Sequence, residues 1–261
     1  MTGIRKSIKL DSGTISYIQD GDGSNPVLFL HGWGGDALSF QPLFQALRDA
    51  GSKSTFYALD FPGFGESAPP PSAWGVDDYA ECVVKYLANM HISRPELVIH
   101  SFGGRVALKL LARKADIFQR AALIAPAGIK HETRSKETIG FVAKTLKKIL
   151  SIAPLKPLLP IVRSLGYKSI GAQDYLAAEG VMKESFSRVV DEDLKGCLSS
   201  ITAPIHIFWG KDDTYVPFSD GEQMQSAMKQ AQLTLFNDGR HGIHKTHAAQ
   251  IAQALIPFLN K

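Results

Sequence analysis

The chain has 261 residues, 44% hydrophobic and 21% charged; this balance suits a globular protein, and the length allows a large core without disulfide or metal staples. The net charge of +4 is not gathered into a Lys/Arg run and comes with no recognition motif, which argues against nucleic-acid binding. No apolar run is long enough to span a bilayer, and "MTGIRKSIKLDSG" at the N-terminus lacks the apolar centre of a signal peptide.

In chain order, "SIKL" and "TISYIQ" flank "DSG" and predict a hairpin. "PVLFLHG" is a continuous apolar run, as expected of a strand buried on both faces. "ALSFQPLFQALRDAG" has helical spacing and a glycine stop, and "STFYALDFPGFG" is a strand closing in a glycine-rich loop. "WGVDDYAECVVKYLANM" predicts a helix, "ELVIHS" a strand, "GGRVALKLLARKA" a helix and "RAALIAPAG" a strand. Alternation of apolar strands with helices predicts an α/β fold: a mostly parallel central sheet flanked by helices on both faces.

The alternation stops after residue 130. Residues 131–200 hold helical sequence such as "ETIGFVAKTLKKILSIAP" and "VMKESFSRVVDEDL" and no clear strand. It resumes with "PIHIFWG", "GEQMQSAMKQ", "QLTLFND" and "HAAQIAQALIPFL". The expected organisation is a core of residues 1–130 and 201–261 with a helical insertion, 131–200, which the family resemblance described below would make a cap. Cys82 and Cys197 have no metal-type spacing and read as thiols of a reducing compartment, so the expected location is cytoplasmic.

Four strand ends carry candidate chemistry. "VIHSFGGR" places Ser101 between a strand and a helix, where it is either a nucleophile on a sharp turn or an ordinary N-cap. Gly103 leaves room where such a turn is crowded. "LHGWGGD" clusters glycines whose backbone N–H groups could approach a ligand closely, or simply form a turn. "FWGKDDTYVP" offers Asp212 and Asp213. "NDGRHGIHKTH" holds His241, His244 and His247, but their spacing fits no zinc pattern, so no metal is expected. A serine hydroxyl is a weak nucleophile. It needs a hydrogen-bonded base, a group that orients the base, and donors for the oxyanion. Serine, aspartate and histidine occur here in that order, each after a strand.

"HGWGG", "DFPGFGES", "HSFGGR", "WGKDDTYVP" and "GRHGIH", spread over nearly the whole chain, resemble the α/β-hydrolase superfamily, specifically its small, lid-bearing serine esterases. The resemblance implies Ser101 as nucleophile, His241 as base, Asp213 rather than Asp212 as acid, and the backbone N–H groups of Trp33 and Phe102 as oxyanion donors. "DFPGFGES" would be a structural turn, with no chemical role for Asp60. The family usually has a small residue two positions before the serine; here Ile99 stands there and must pack beneath the turn. His100 is expected to pack beside the turn, because adjacent residues of a strand face opposite ways.

The resemblance implies a carboxylesterase-like serine hydrolase with an acyl-enzyme and no cofactor. Its partner would be a small-molecule ester, and membrane contact is not expected. The serine argues against dehalogenase and epoxide-hydrolase chemistry, which uses aspartate at that position. Carbon–carbon bond hydrolysis, lyase chemistry and non-catalytic ligand reception on the same fold are the alternatives. Phe141, Leu146, Ile149, Leu158, Leu159, Val162 and Phe186 are the candidate substrate-pocket residues, or else pack within the insertion.

Overall fold

The structure is a computed structural model and describes residues 3–113, 116–131 and 179–259. Among the described residues, eight strands form one sheet: β1 (Ile4–Leu10), β2 (Gly13–Asp20), β3 (Pro26–Leu30), β4 (Thr55–Leu59), β5 (Glu96–His100), β6 (Ala121–Ile124), β7 (Ile205–Gly210) and β8 (Ala231–Phe236). Their spatial order is β1-β2-β4-β3-β5-β6-β7-β8. The predicted hairpin pairs β1 with β2 antiparallel, and β2 also lies antiparallel to β4. Every other neighbour is parallel.

The apolar runs of the central strands follow from their having no solvent face. Leu28, Leu30, Leu97, Ile99 and Leu123 point into one core, while Val27, Phe29, Val98, Ala122 and Ile124 point into the other. That is the period-two alternation of a strand, with both faces apolar. The first core is covered by α2 (Val76–Asn89) and α3 (Phe102–Arg113), and α5 (Phe218–Ala227) adds Met224. The second is covered by α1 (Gln41–Asp49) and α7 (Ala248–Leu259), and the one-turn helix α6 (Ile243–Thr246) adds Ile243.

The helix expected from Ala37 divides in two. Asp36 caps a 3-10 turn, Ala37–Phe40, by accepting from the Ser39 N–H, and α1 starts only at Gln41. Pro42 sets that start. It has no N–H to donate, so it is tolerated only in a first turn.

Helix α4 (Gly180–Asp191) lies beside the mouth of the sheet. Ser185 Oγ accepts from the Trp74 N–H at 2.8 Å, and Arg188 Nη1 donates to the Ala73 carbonyl at 2.8 Å. The stretch after α4 is fastened to the loop after β6: the Leu194 N–H donates to Gly128 O at 2.9 Å, and the Lys130 N–H to Asp193 Oδ1 at 3.1 Å. Leu194 and Leu198 pack into the first core. Among the described residues, no helix is long and apolar enough to cross a membrane.

Candidate active site

The candidate site lies at the carboxyl ends of β3, β5, β7 and β8. Ser101 follows β5 directly and has φ +50, the left-handed region that side-chain-bearing residues rarely adopt. The surroundings hold it there. Its N–H donates to Ile124 O at 3.1 Å, and its carbonyl accepts from the Gly104 and Ala127 N–H groups at 2.8 and 2.9 Å. Gly103 lets α3 dock against β3, since a Cβ there would lie 2.4 Å from Leu30 O. Ile99, the departure from the family pattern, is fully buried in the α2/α3 core and pairs in register with Leu30 and Leu123.

His241 sits in the loop between β8 and α6. Its Nε2 is 2.9 Å from Ser101 Oγ, and its Nδ1 is 2.8 Å from Asp213 Oδ2. A carboxylate only accepts, so the neutral ring carries its proton on Nδ1 and turns the Nε2 lone pair to the serine. Asp213 Oδ1 accepts from the N–H groups of Tyr215, at 2.8 Å, and Val216, at 3.0 Å. Two backbone bonds bring the aspartate and histidine loops together: Lys211 N–H to Phe236 O and Asp212 N–H to Gly239 O, each 2.9 Å. Asp212 is exposed and Asp213 is buried.

The "HGWGG" loop is anchored by His31, which is fully buried. Its Nδ1–H donates to Gly32 O at 2.8 Å, and its Nε2 accepts from the Phe61 N–H at 3.0 Å. Both contacts require a neutral ring, and burial lowers its pKa accordingly. The His31 carbonyl accepts from the Gly103 N–H at 3.1 Å, so this loop is fastened to the start of α3. The amides of Trp33 and Phe102 donate to no acceptor among the described residues. Asp60 is fully buried and acts as a hub for the "DFPGFGES" turn, accepting from Arg5, the Ala37 N–H and the Glu66 N–H.

A cleft of about 1340 Å³ opens over Ser101 and is lined by Trp33, Phe102, Ile129, Phe186, Tyr215 and His241 among others. Trp33 packs edge-on to Phe102 and Phe186, with ring centroids 5.2 and 5.1 Å apart. Phe186 is therefore at the cleft; Phe141, Leu146, Ile149, Leu158, Leu159 and Val162 lie outside the described residues. The three histidines of "NDGRHGIHKTH" separate. His241 faces Ser101, His244 is buried against His100, and His247 Nε2 is 3.1 Å from Asp238.

Three neighbours of the site make contacts that the sequence does not announce, although His100 is expected beside the turn and lies there. Tyr215 stacks on the His241 ring at 4.9 Å. His31 clamps the glycine loop, and His100 reaches the His241 backbone. Each contact joins distant segments, and no local periodicity marks it.

Residues 25–248 match the family described as alpha/beta hydrolase fold. The chain is 25% identical over 250 residues to a dihydrolipoyllysine-residue acetyltransferase component of the acetoin cleaving system of Pseudomonas putida, covering 92% of this chain and 65% of that protein. It thus spans less than two thirds of that relative's length. It is 24% identical to a 2-hydroxy-6-oxononadienedioate/2-hydroxy-6-oxononatrienedioate hydrolase of a Pseudomonas species, over 95% of this chain and 92% of that one. An esterase from Exiguobacterium antarcticum superposes with a TM-score of 0.76 at 21% identity, over 99% of this chain and 100% of that one. With the family match covering most of its length, the chain belongs to the α/β-hydrolase family.

Proposed function

We propose that the chain is a serine hydrolase that cleaves carboxylic esters through an acyl-enzyme. The observation that carries this reading is the unbroken line from Asp213 through His241 to Ser101, with contacts of 2.8 and 2.9 Å. His241 Nε2 takes the proton of Ser101 as Oγ attacks the ester carbonyl carbon. The oxyanion that forms is held by the amides of Trp33 and Phe102, and Asp213 supports the imidazolium. The C–O bond to the alcohol breaks, and the alcohol leaves with the proton from His241. Water repeats the sequence on the acyl-enzyme, releasing the acid and restoring the serine. In this reading Phe186 belongs to the substrate-pocket wall; of the expected cap, 131–200, residues 132–178 lie outside the described residues.

The likeness to a Pseudomonas hydrolase named for 2-hydroxy-6-oxo-dienedioate substrates favours a second reading, carbon–carbon bond hydrolysis at the same site. Fluorophosphonate labelling and turnover of p-nitrophenyl esters from acetate to octanoate, each with a Ser101→Ala control, separate the two. The expected result is labelling at Ser101 with ester turnover, and a loss of about 10⁴-fold or more in turnover in the control. Labelling without ester turnover favours the carbon–carbon reading or a lyase. Absence of both points to a binding protein.

A further inference from the structure

One imidazole joins the serine strand to both the glycine loop and the histidine loop of the candidate site, and it belongs to none of the roles above. His100 is the last residue of β5 and is nearly buried. Its strand neighbour Ile99 points into the α2/α3 core, so His100 points to the opposite face, where the histidine loop and α6 lie. Its ring is 4.8 Å from the His241 ring and 3.9 Å from that of His244. Its Nε2 lies 2.9 Å from the main-chain carbonyl of His241, 141 positions along the chain. On the other side the glycine loop is flush against it. A Cβ on Gly32 would come within 2.9 Å of His100 Nδ1 and 3.2 Å of Ser101 Cβ.

We infer that His100 is a positioning residue for the base: its Nε2–H holds the His241 carbonyl and thereby keeps the His241 ring between Ser101 and Asp213. The inference rests on the serine-hydrolase reading. A carbonyl only accepts, so His100 must carry its proton on Nε2 and leave Nδ1 bare. The ring must also be neutral, since a second cation beside His241 would oppose the imidazolium formed during acylation. Its surroundings favour that state: burial lowers its pKa well below the usual histidine range, and the charges of His244, His241 and Lys245 push the same way, while the bond to the His241 carbonyl pulls it up only in part. The bond matters because proton transfer is steep in distance, and a shift of the His241 backbone moves Nε2 off Oγ.

The test compares wild type with His100→Gln, whose amide N–H can reach the same carbonyl, and His100→Met, which fills similar volume without a donor. Three quantities are read: the second-order rate of fluorophosphonate labelling at Ser101, kcat and KM for a p-nitrophenyl ester, and the tautomer of His100 in the wild type by nitrogen-15 NMR. We expect a neutral, Nε2-protonated His100. Labelling rate and kcat should fall ~10- to 100-fold in His100→Met with KM moved less than ~3-fold, while His100→Gln keeps both rates within ~5-fold of wild type. An Nδ1-protonated His100, wild-type rates in His100→Met, or equal losses in both variants overturns the inference. If His100→Met does not fold, the wild-type tautomer decides. Labelled wild type with an unaffected His100→Met sinks the positioning role alone. Wild type that neither labels nor turns over ester sinks the hydrolase reading and the inference with it.

Discussion

Asp213 gives one carboxylate oxygen to its own loop and the other to His241. Oδ1 accepts the Tyr215 and Val216 N–H groups, and Oδ2 accepts His241 Nδ1–H at 2.8 Å. The division predicts the outcome of Asp213→Asn. The two loop N–H groups require an acceptor, so they claim the amide oxygen and turn the NH₂ toward His241. The ring must then place its proton on Nε2, where it faces Ser101 and cannot act as base. We expect kcat/KM for p-nitrophenyl esters to fall about 10³- to 10⁴-fold, the scale known for this substitution in a serine protease triad. The melting temperature should move little. A loss under tenfold would mean that the loop does not dictate the tautomer.

Gly103 makes the elbow possible in a way that stability and rate can both report. A methyl there meets the Leu30 carbonyl at 2.4 Å and Leu30 Cβ at 3.1 Å, so α3 must back away from β3. The same movement strains the Gly103 N–H to His31 O bond, which fastens the glycine loop. We expect Gly103→Ala to lose about 1–3 kcal/mol in urea unfolding, as overpacking does. Ser101 labelling by a fluorophosphonate should slow as well. Unchanged stability would show that α3 docks further from β3 than described.

The strands and helices of the core were legible because both faces of the sheet are buried, and this writes apolar runs such as "PVLFL" and "ELVIH" into the sequence. The strand ends carrying Ser101, Asp213 and His241 were legible because short turn motifs mark them. The family resemblance implied Asp213 over Asp212, and Asp213 is the one whose carboxylate lies 2.8 Å from His241. The helix start at Gln41 was misplaced because hydrophobic spacing runs continuously through Phe40, whereas backbone hydrogen bonding changes at Pro42. His100 and His31 were invisible as connectors. Their partners, His241 and Phe61, are close in space but far apart in sequence.

Glu96 gives a pH signature of stability far from the site. It is 1% exposed at the start of β5, accepts from Asn25 Nδ2 at 2.9 Å, and has Arg120 Nε at 3.6 Å. Burial outweighs both partners and raises its pKa from 4.5 to about 7. With the folded-state value raised, its stabilising contribution is complete below pH 4.5 and is lost as pH rises through about 7. Glu96→Gln has no charge to bury and should be more stable than wild type at pH 8 by about 1–3 kcal/mol, with the gap closing toward pH 5. Equal pH slopes in urea unfolding would reject this origin.

His244 gives the opposite slope. It is buried between the rings of His100, at 3.9 Å, and Phe40, at 5.7 Å, and neither ring nitrogen has a partner among the described residues. Burial, and then Lys245 and His241, lower its pKa from 6.5 to about 3. A depressed folded-state value makes its contribution complete above pH 6.5 and lost as pH falls toward 3. His244→Phe keeps an aromatic ring against the same neighbours and removes both the proton uptake and the two unmatched nitrogens. At pH 7.5 it should be more stable than wild type by about 1–3 kcal/mol, the cost of leaving buried polar atoms unmatched. Below pH 6.5 the gap should widen by about 1.4 kcal/mol per unit, because the unfolded wild type takes up a proton that the folded form refuses. His100 is present in both proteins, so its own acid titration cancels to the extent that its ring stays put. Urea unfolding at pH 5, 6 and 7.5 reads the difference, and a constant gap would mean that His244 titrates freely in the folded state.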